Sequence, residues 1–480
     1  MMNERADTGR THKRSAWRKP HRTPLTLYSG LVLVVLGLVL GLGGCTRKVL
    51  PSQVVVPEGE PQERAKAEEA GKVYELHVNK RPLPDLASAA PLLEVLEYAF
   101  NINGDVEAAY REWRAAIERV PQAGALPNAR LEFGVLFSPG FLKAFKVMGT
   151  QDLPAAGKRE ARADQALADA QAAGERFVAA KYALQRRVTQ AYAALALNDA
   201  LVAQADETLK LYRRSMDIAA HRFHGMDDEK GSLADLRKVE LEAKTVESER
   251  RSLEIMHKSL VAELNGILNR PPDAPLGKVE LPAIGRPKET DADLFARAVE
   301  HNPELAALRK EIRARGAAQV LAELENKKDY SIGLGFEGLM PTITTGITLP
   351  SNRPRIRAGI AEALQMSQAA EARLRAAASD VKARVVMSLA GIRDSERVIE
   401  DYRKRIVPLA EKLLDTQLKT YESGGGDLLE VLDTQRLIID LKKLVLRAEA
   451  DRLRFLAELE EVMGEDIFQF IPGQKAEVRK

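Results

Sequence analysis

Two carboxylates three residues apart, Glu430 and Asp433, stand just beyond the run Gly424-Gly425-Gly426-Asp427. Residues at i and i+3 share one helix face, so the pair sets two negative charges on one stripe. The same pair fits an acidic first turn that steadies the helix dipole and faces solvent. A second charged group, Met226-Asp227-Asp228-Glu229-Lys230, precedes Gly231 and Asp235. It is not a calcium loop: with Gly231 at the sixth position, Met226 falls at the first and Arg237 at the twelfth. His221 and His224, two of seven dispersed histidines, read as solvated surface rather than metal ligands. Cys45 is the single cysteine, so neither an intrachain disulfide nor a cysteine metal cluster can form. The sequence holds no phosphate loop, nucleophile elbow or His-Glu-x-x-His motif. It does not read as an enzyme and implies no cofactor.

These residues need elements to hold them. Each glycine of the triplet costs about 1 kcal/mol against alanine in a helix, so the helix carrying Tyr421 must end there. Asp427 is a good N-cap, and a second helix is expected from it to Gly464. An earlier echo, Lys230-Gly231-Ser232-Leu233-Ala234-Asp235, predicts a second tip turn at Gly231, with Asp235 as its acid. Upstream of that echo, between about Ala155 and Arg222, apolar positions recur every seven residues: Val188, Leu195, Val202, Leu209 and Met216. The adjoining seam is Leu184, Ala191, Asn198, Ala205 and Tyr212, and the later series is Val385, Ile392, Ile399, Ile406 and Leu413. Sustained heptads predict coiled-coil packing, and nearly 70 residues at about 1.5 Å each reach roughly 100 Å. Asn198 reads as a register device in the seam. Pro408 is expected to kink the later helix or cost it a hydrogen bond.

Four strands are expected, at Arg130–Ser138, Phe145–Leu153, Tyr330–Leu339 and Thr342–Leu349, each pair ending in Leu-Pro. A membrane strand needs about 9–11 residues with one apolar side; a small soluble sheet fits the alternation equally. Four strands cannot close a barrel alone, so in a membrane several chains must pool them. Leu153 lies 82 positions before Asp235, and Leu349 lies 81 before Glu430. A helical segment over about Pro91–Arg119 contains Asn103-Gly104-Asp105, which recurs as Asn302-Pro303-Glu304. The reading is a duplicated chain: a first repeat over 91–285, with a hairpin over about 155–270, and a second over 286–465, with a hairpin over about 354–464. A tail follows over 466–480.

The N-terminus has another character. Its first 24 residues carry seven basic and two acidic groups, an apolar run follows from Leu31 to Leu42, and then Gly43-Gly44-Cys45. A basic start, a short apolar run and small residues predict a signal peptide over 1–44. Residues 45–90, with scattered prolines, are expected as an extended tether. Without the signal, 65 basic residues face 67 acidic ones, and a net charge of −2 gives no reason to expect nucleic acid.

The tip Tyr421…Gly424…Leu428-Leu429-Glu430-Val431-Leu432-Asp433-Thr434-Gln435, the two Leu-Pro strand ends and Asn302-Pro303-Glu304-Leu305 occur in one order. With them the chain resembles the TolC-like outer-membrane efflux ducts, in their lipidated branch, over about 90–465. That resemblance implies a mainly α fold with a short membrane β-barrel. Three copies would pool four strands each into a twelve-stranded barrel, and four helical arms each into a periplasmic tunnel. It implies a homotrimer, a passive and non-catalytic exit duct, joined through a periplasmic adaptor to an inner-membrane pump of the RND type. Leu-Gly-Gly-Cys resembles a lipoprotein cleavage box, making Cys45 a lipidated residue held in outer-membrane lipid. Glu430 and Asp433 match the family's periplasmic aperture. Some members place a basic latch residue four positions before the first acid; here that position is Gly426. The competing reading is a coiled-coil lipoprotein that never crosses the membrane, which explains the heptads but not the paired strands.

Overall fold

From Leu92 onward the order helix, helix, strand, strand, long hairpin runs once and then begins again. The computed structural model describes residues 54–138, 141–225, 229–282, 290–423 and 425–466. A short helix α1 (Glu60–Ala70) comes first, then α2 (Leu92–Ile102), α3 (Gly104–Gly124), β1 (Arg130–Ser138) and β2 (Phe141–Leu153). The first long hairpin is α4 (Lys158–Gly225) with α5 (Glu229–Ile267). The second round holds α6 (Asp291–His301), α7 (Pro303–Leu324), β3 (Asp329–Glu337), β4 (Met340–Thr348), α8 (Arg353–Asp401), α9 (Val407–Glu422) and α10 (Leu428–Met463). No helix among the described residues is long and apolar enough to cross a membrane.

Asn103 and Asn302 do matching work at the two starts. The Asn103 side chain accepts from the N–H groups of Asp105 (3.0 Å) and Val106 (3.2 Å), capping α3 and splitting the expected Pro91–Arg119 helix in two. Asn302 accepts from Leu305 N–H at 2.8 Å and caps α7. Each also donates from Nδ2 to the last turn of a returning helix, Asn103 to Ile267 O (3.4 Å) and Asn302 to Val462 O (2.7 Å).

The α4 heptads pack as their spacing requires. Leu184, Ala191, Asn198, Ala205 and Tyr212 are all buried, and Asn198 Nδ2 donates to Leu253 O on α5 at 3.2 Å. In the second hairpin the series holds through Val385 and Ile392 and then fails, leaving Ile406 and Leu413 exposed. The cause is a π turn over Tyr402–Ile406, directly before Pro408. A π turn adds one residue to the helix, so the inward positions move to Val407, Leu414 and Tyr421.

The stretch expected as a tether is folded from Val54 onward. Pro61 sits in the first turn of α1, and Ala67, Tyr74 and Leu86 enter the same core as α3 and α4. Trp113 Nε1–H donates to Glu63 Oε1 at 3.0 Å, and its ring stacks on Phe177 with centroids 5.7 Å apart. Pro61 begins a helix instead of extending the chain, and enough apolar side chains lie among the charges to dock the stretch. Cys45 lies outside the described residues, as do residues 467–480 of the expected tail.

The start of α4 is tied to the start of β3. Buried Lys158 pairs with Asp329 Oδ2 at 2.9 Å, and Asp329 Oδ1 accepts from Ala155 N–H at 2.7 Å.

Candidate functional site: a two-faced sheet and a helical tip

The four strands form one antiparallel sheet in the order β1-β2-β3-β4, with β2 beginning earlier, at Phe141, than the sequence suggests. Register decides what each face carries. Phe133 pairs with Val147, Val147 with Phe336 and Phe336 with Pro341; Leu131 leads in the same way through Gly149 and Leu334 to Ile343. One face therefore holds Leu131, Phe133, Val135, Tyr330, Ile332, Leu334, Phe336, Ile343 and Ile347, all exposed. Its other face carries Glu132, Gly134, Lys146, Thr150, Ser331, Gly333, Gly335, Thr342, Thr344 and Gly346. Glycine is required there: a Cβ on Gly335 would lie 2.1 Å from Val147 O, and one on Gly333 2.4 Å from Thr344 Oγ1. The outer edges of β1 and β4 carry no strand partner among the described residues.

At the far end, α9 closes with Ser423 N–H on Lys419 O (3.1 Å) and Gly425 N–H on Thr420 O (3.1 Å). Gly426 has φ +87°, a conformation that glycine adopts without strain. Asp427 then caps α10, its Oδ1 accepting from Leu429 N–H at 2.9 Å. Leu428, Val431 and Leu432 turn inward against Tyr421, Tyr212 and Val239, which leaves Glu430 and Asp433 exposed on the opposite side. Asp433 Oδ1 accepts from Arg436 Nη1 at 3.0 Å, whereas Glu430 makes no hydrogen bond or ion pair among the described residues. Arg436 also donates to Glu242 on α5, a bond that raises its already high pKa. Lys443 and Glu249 repeat that link at 2.6 Å, seven residues along both helices. Gln435 Nε2 donates to Ser215 Oγ on α4 at 2.9 Å. Gly424 lies outside the described residues.

The first tip departs from expectation. Gly231 is in the opening turns of α5, and Asp235 lies further inside that helix, its carboxylate 3.6 Å from Lys238 Nζ. α4 is described to Gly225 and α5 from Glu229, and residues 226–228 of the expected charged loop lie outside the described residues. A lone glycine costs a helix only about 1 kcal/mol, which flanking helix formers absorb; three in a row are not absorbed.

Solved structures share this arrangement. The outer-membrane channel OprN superposes with a TM-score of 0.67 at 16% identity, over 78% of this chain and 90% of its own. The outer membrane protein VceC of Vibrio cholerae gives 0.66 at 18%, over 78% and 96%, and CusC, whose structures concern transmembrane channel formation, 0.67 at 17%, over 78% and 92%. The fold is that of the TolC-like outer-membrane factors. No protein-family model matches the sequence, and no curated protein matches it.

In this TolC-like fold Gly425, Gly426 and Asp427 lie between α9 and α10, and Glu430 and Asp433 lie in the opening turns of α10. Sequence reading missed the groups that join the two hairpins: Arg436, Glu242, Gln435 and Ser215. Their signal was faint, a basic residue three positions after Asp433 and a glutamine on a face otherwise apolar.

Proposed function

We propose that the chain is the outer-membrane exit duct of a tripartite efflux system. It conducts passively what an inner-membrane pump, of RND type, delivers through a periplasmic adaptor. The sheet carries this reading: its apolar face is exposed, its other face carries polar residues and glycines, two of which leave no room for a Cβ, and neither outer edge has a strand partner among the described residues. In a homotrimer β4 of one copy pairs with β1 of the next, giving twelve strands with an apolar exterior in lipid and a polar lumen. The two repeats, 91–285 and 286–465, supply the hairpins of the periplasmic tunnel, and a lipid on Cys45 adds a second hold on the outer membrane. Glu430 and Asp433 form stacked acidic rings at the narrow end, favouring cations. The chain is not an enzyme in this reading. A coiled-coil lipoprotein outside the membrane would leave the apolar sheet face in water, at about 25 cal/mol per Å².

Planar-bilayer recording of the detergent-extracted protein tests the proposal. The expected result is a trimeric mass and a cation-selective conductance blocked by divalent cations. Glu430→Ala with Asp433→Ala should raise the blocking concentration about tenfold, equivalent to roughly 1.4 kcal/mol. Unchanged block removes the acids from the aperture; a non-conducting monomer removes the duct.

A further inference from the structure

The second hairpin carries two apolar stripes where a coiled-coil helix needs one. Val407, Ala410, Leu414 and Tyr421 face inward, while Ile406, Leu409 and Leu413, one residue out of step, are 38%, 69% and 49% exposed. The exposed stripe continues the heptad of Val385, Ile392 and Ile399; only the π turn at Tyr402–Ile406 keeps it out.

We propose that α9 has two registers against α10. In the second, the π turn anneals to regular α-helix, α9 rotates by about 100°, the angle of one residue, and Ile406, Leu409 and Leu413 enter the seam. Gln417 supplies an independent reason. Its Oε1 is buried in the present register with no hydrogen-bond partner among the described residues. In the second register Thr416 takes that place, and its hydroxyl already donates to Lys412 O at 3.0 Å. Thr420, whose hydroxyl donates to Thr416 O at 2.9 Å, replaces Tyr421. Against the change stand the burial of Tyr421 and the ring of Pro408, which crowds the carbonyl four residues back in a regular helix. Two half-exposed ion pairs also oppose it, Glu411–Lys442 (2.8 Å) between α9 and α10 and Arg403–Glu449 between the π turn and α10, each worth little because solvent reaches it. Because α9 leads into the turn at Ser423–Asp427, its rotation displaces the start of α10. This two-state helix does not depend on whether the protein conducts.

Disulfide trapping in the full-length protein, in a Cys45→Ala background, tests it. Leu414→Cys with Ile439→Cys reports the present register and Leu413→Cys with Ile439→Cys the second; Lys412→Cys with Ile439→Cys is the geometric control. Both reporting pairs are expected to close at least about tenfold faster than the control, a difference worth roughly 1.4 kcal/mol. Deleting exposed Lys404 removes the extra residue, so it should preserve the 414 pair and abolish the 413 pair. If the deletion variant does not fold, the 413 and 412 pairs in the undeleted chain still decide. A 413 pair no faster than the control, or one untouched by a folded deletion variant, overturns the proposal.

Discussion

At Asn302 one carboxamide does two jobs, capping α7 through its oxygen and pinning the last turn of α10 through its nitrogen. Asn302→Ala removes both, and caps alone are worth about 1 kcal/mol, so a fall in melting temperature larger than that of a cap loss is expected. Asn302→Asp keeps the cap acceptor but sets a buried carboxylate against Val462 O in place of the donor, so its fall should be at least as large as that of Asn302→Ala. Thermal unfolding by circular dichroism separates them. Tyr212 gives a pH signature. Burial pushes its hydroxyl from about 10 up to about 12, with Glu242 adding to the effect. Below pH 10 the phenol is protonated in folded and unfolded chains alike, and its contribution is intact. Between pH 10 and 12 the unfolded chain ionises first, and stability drains away. Tyr212→Phe should make the loss of stability across that window shallower, measured as the melting temperature at pH 9 and pH 11.5. Asn302 was legible in sequence because a cap, a proline and an acid stand together; Tyr212 was legible only as a seam position, since the carboxylate beside it comes from another helix.

Among the elements, the sheet offers the sharpest contrast. A methyl at Gly335 meets backbone at 2.1 Å, whereas one at Gly134 meets only Lys146 Cβ at 3.5 Å. Gly335→Ala should therefore cost about 1–3 kcal/mol and Gly134→Ala little, read as detergent-resistant melting of the strands. Strand positions were legible because alternation and Leu-Pro ends survive in one dimension. The face each strand presents was not, since it depends on cross-strand register. The later heptad was legible only to Ile399: Pro408 announces a missing hydrogen bond, but not that the chain gains a residue before it. The Gly231 turn misled for the converse reason, a glycine read as a break where the helix runs through.

For the whole molecule, the N-terminal stretch from Val54 matters more than its composition suggests. Its prolines and charges mimic a linker, yet Ala67 is fully buried and Glu63 bonds Trp113. Ala67→Glu puts an unpaired charge into that core, a loss of several kcal/mol. Since Trp17 and Trp113 are the only tryptophans, a red-shifted Trp113 emission in a Trp17→Phe background is the expected sign of undocking.

The tie between Ala155 and Asp329 joins residues 174 positions apart, and that between Gln435 and Ser215 joins residues 220 apart. Neither can form until its later residue, Asp329 or Gln435, has been made, so the first sheet hairpin waits unpaired on one side and the first helical arm waits for α10. Such high contact order makes closure slow. The molecule's later half is what decides when its earlier half stops being an aggregation hazard.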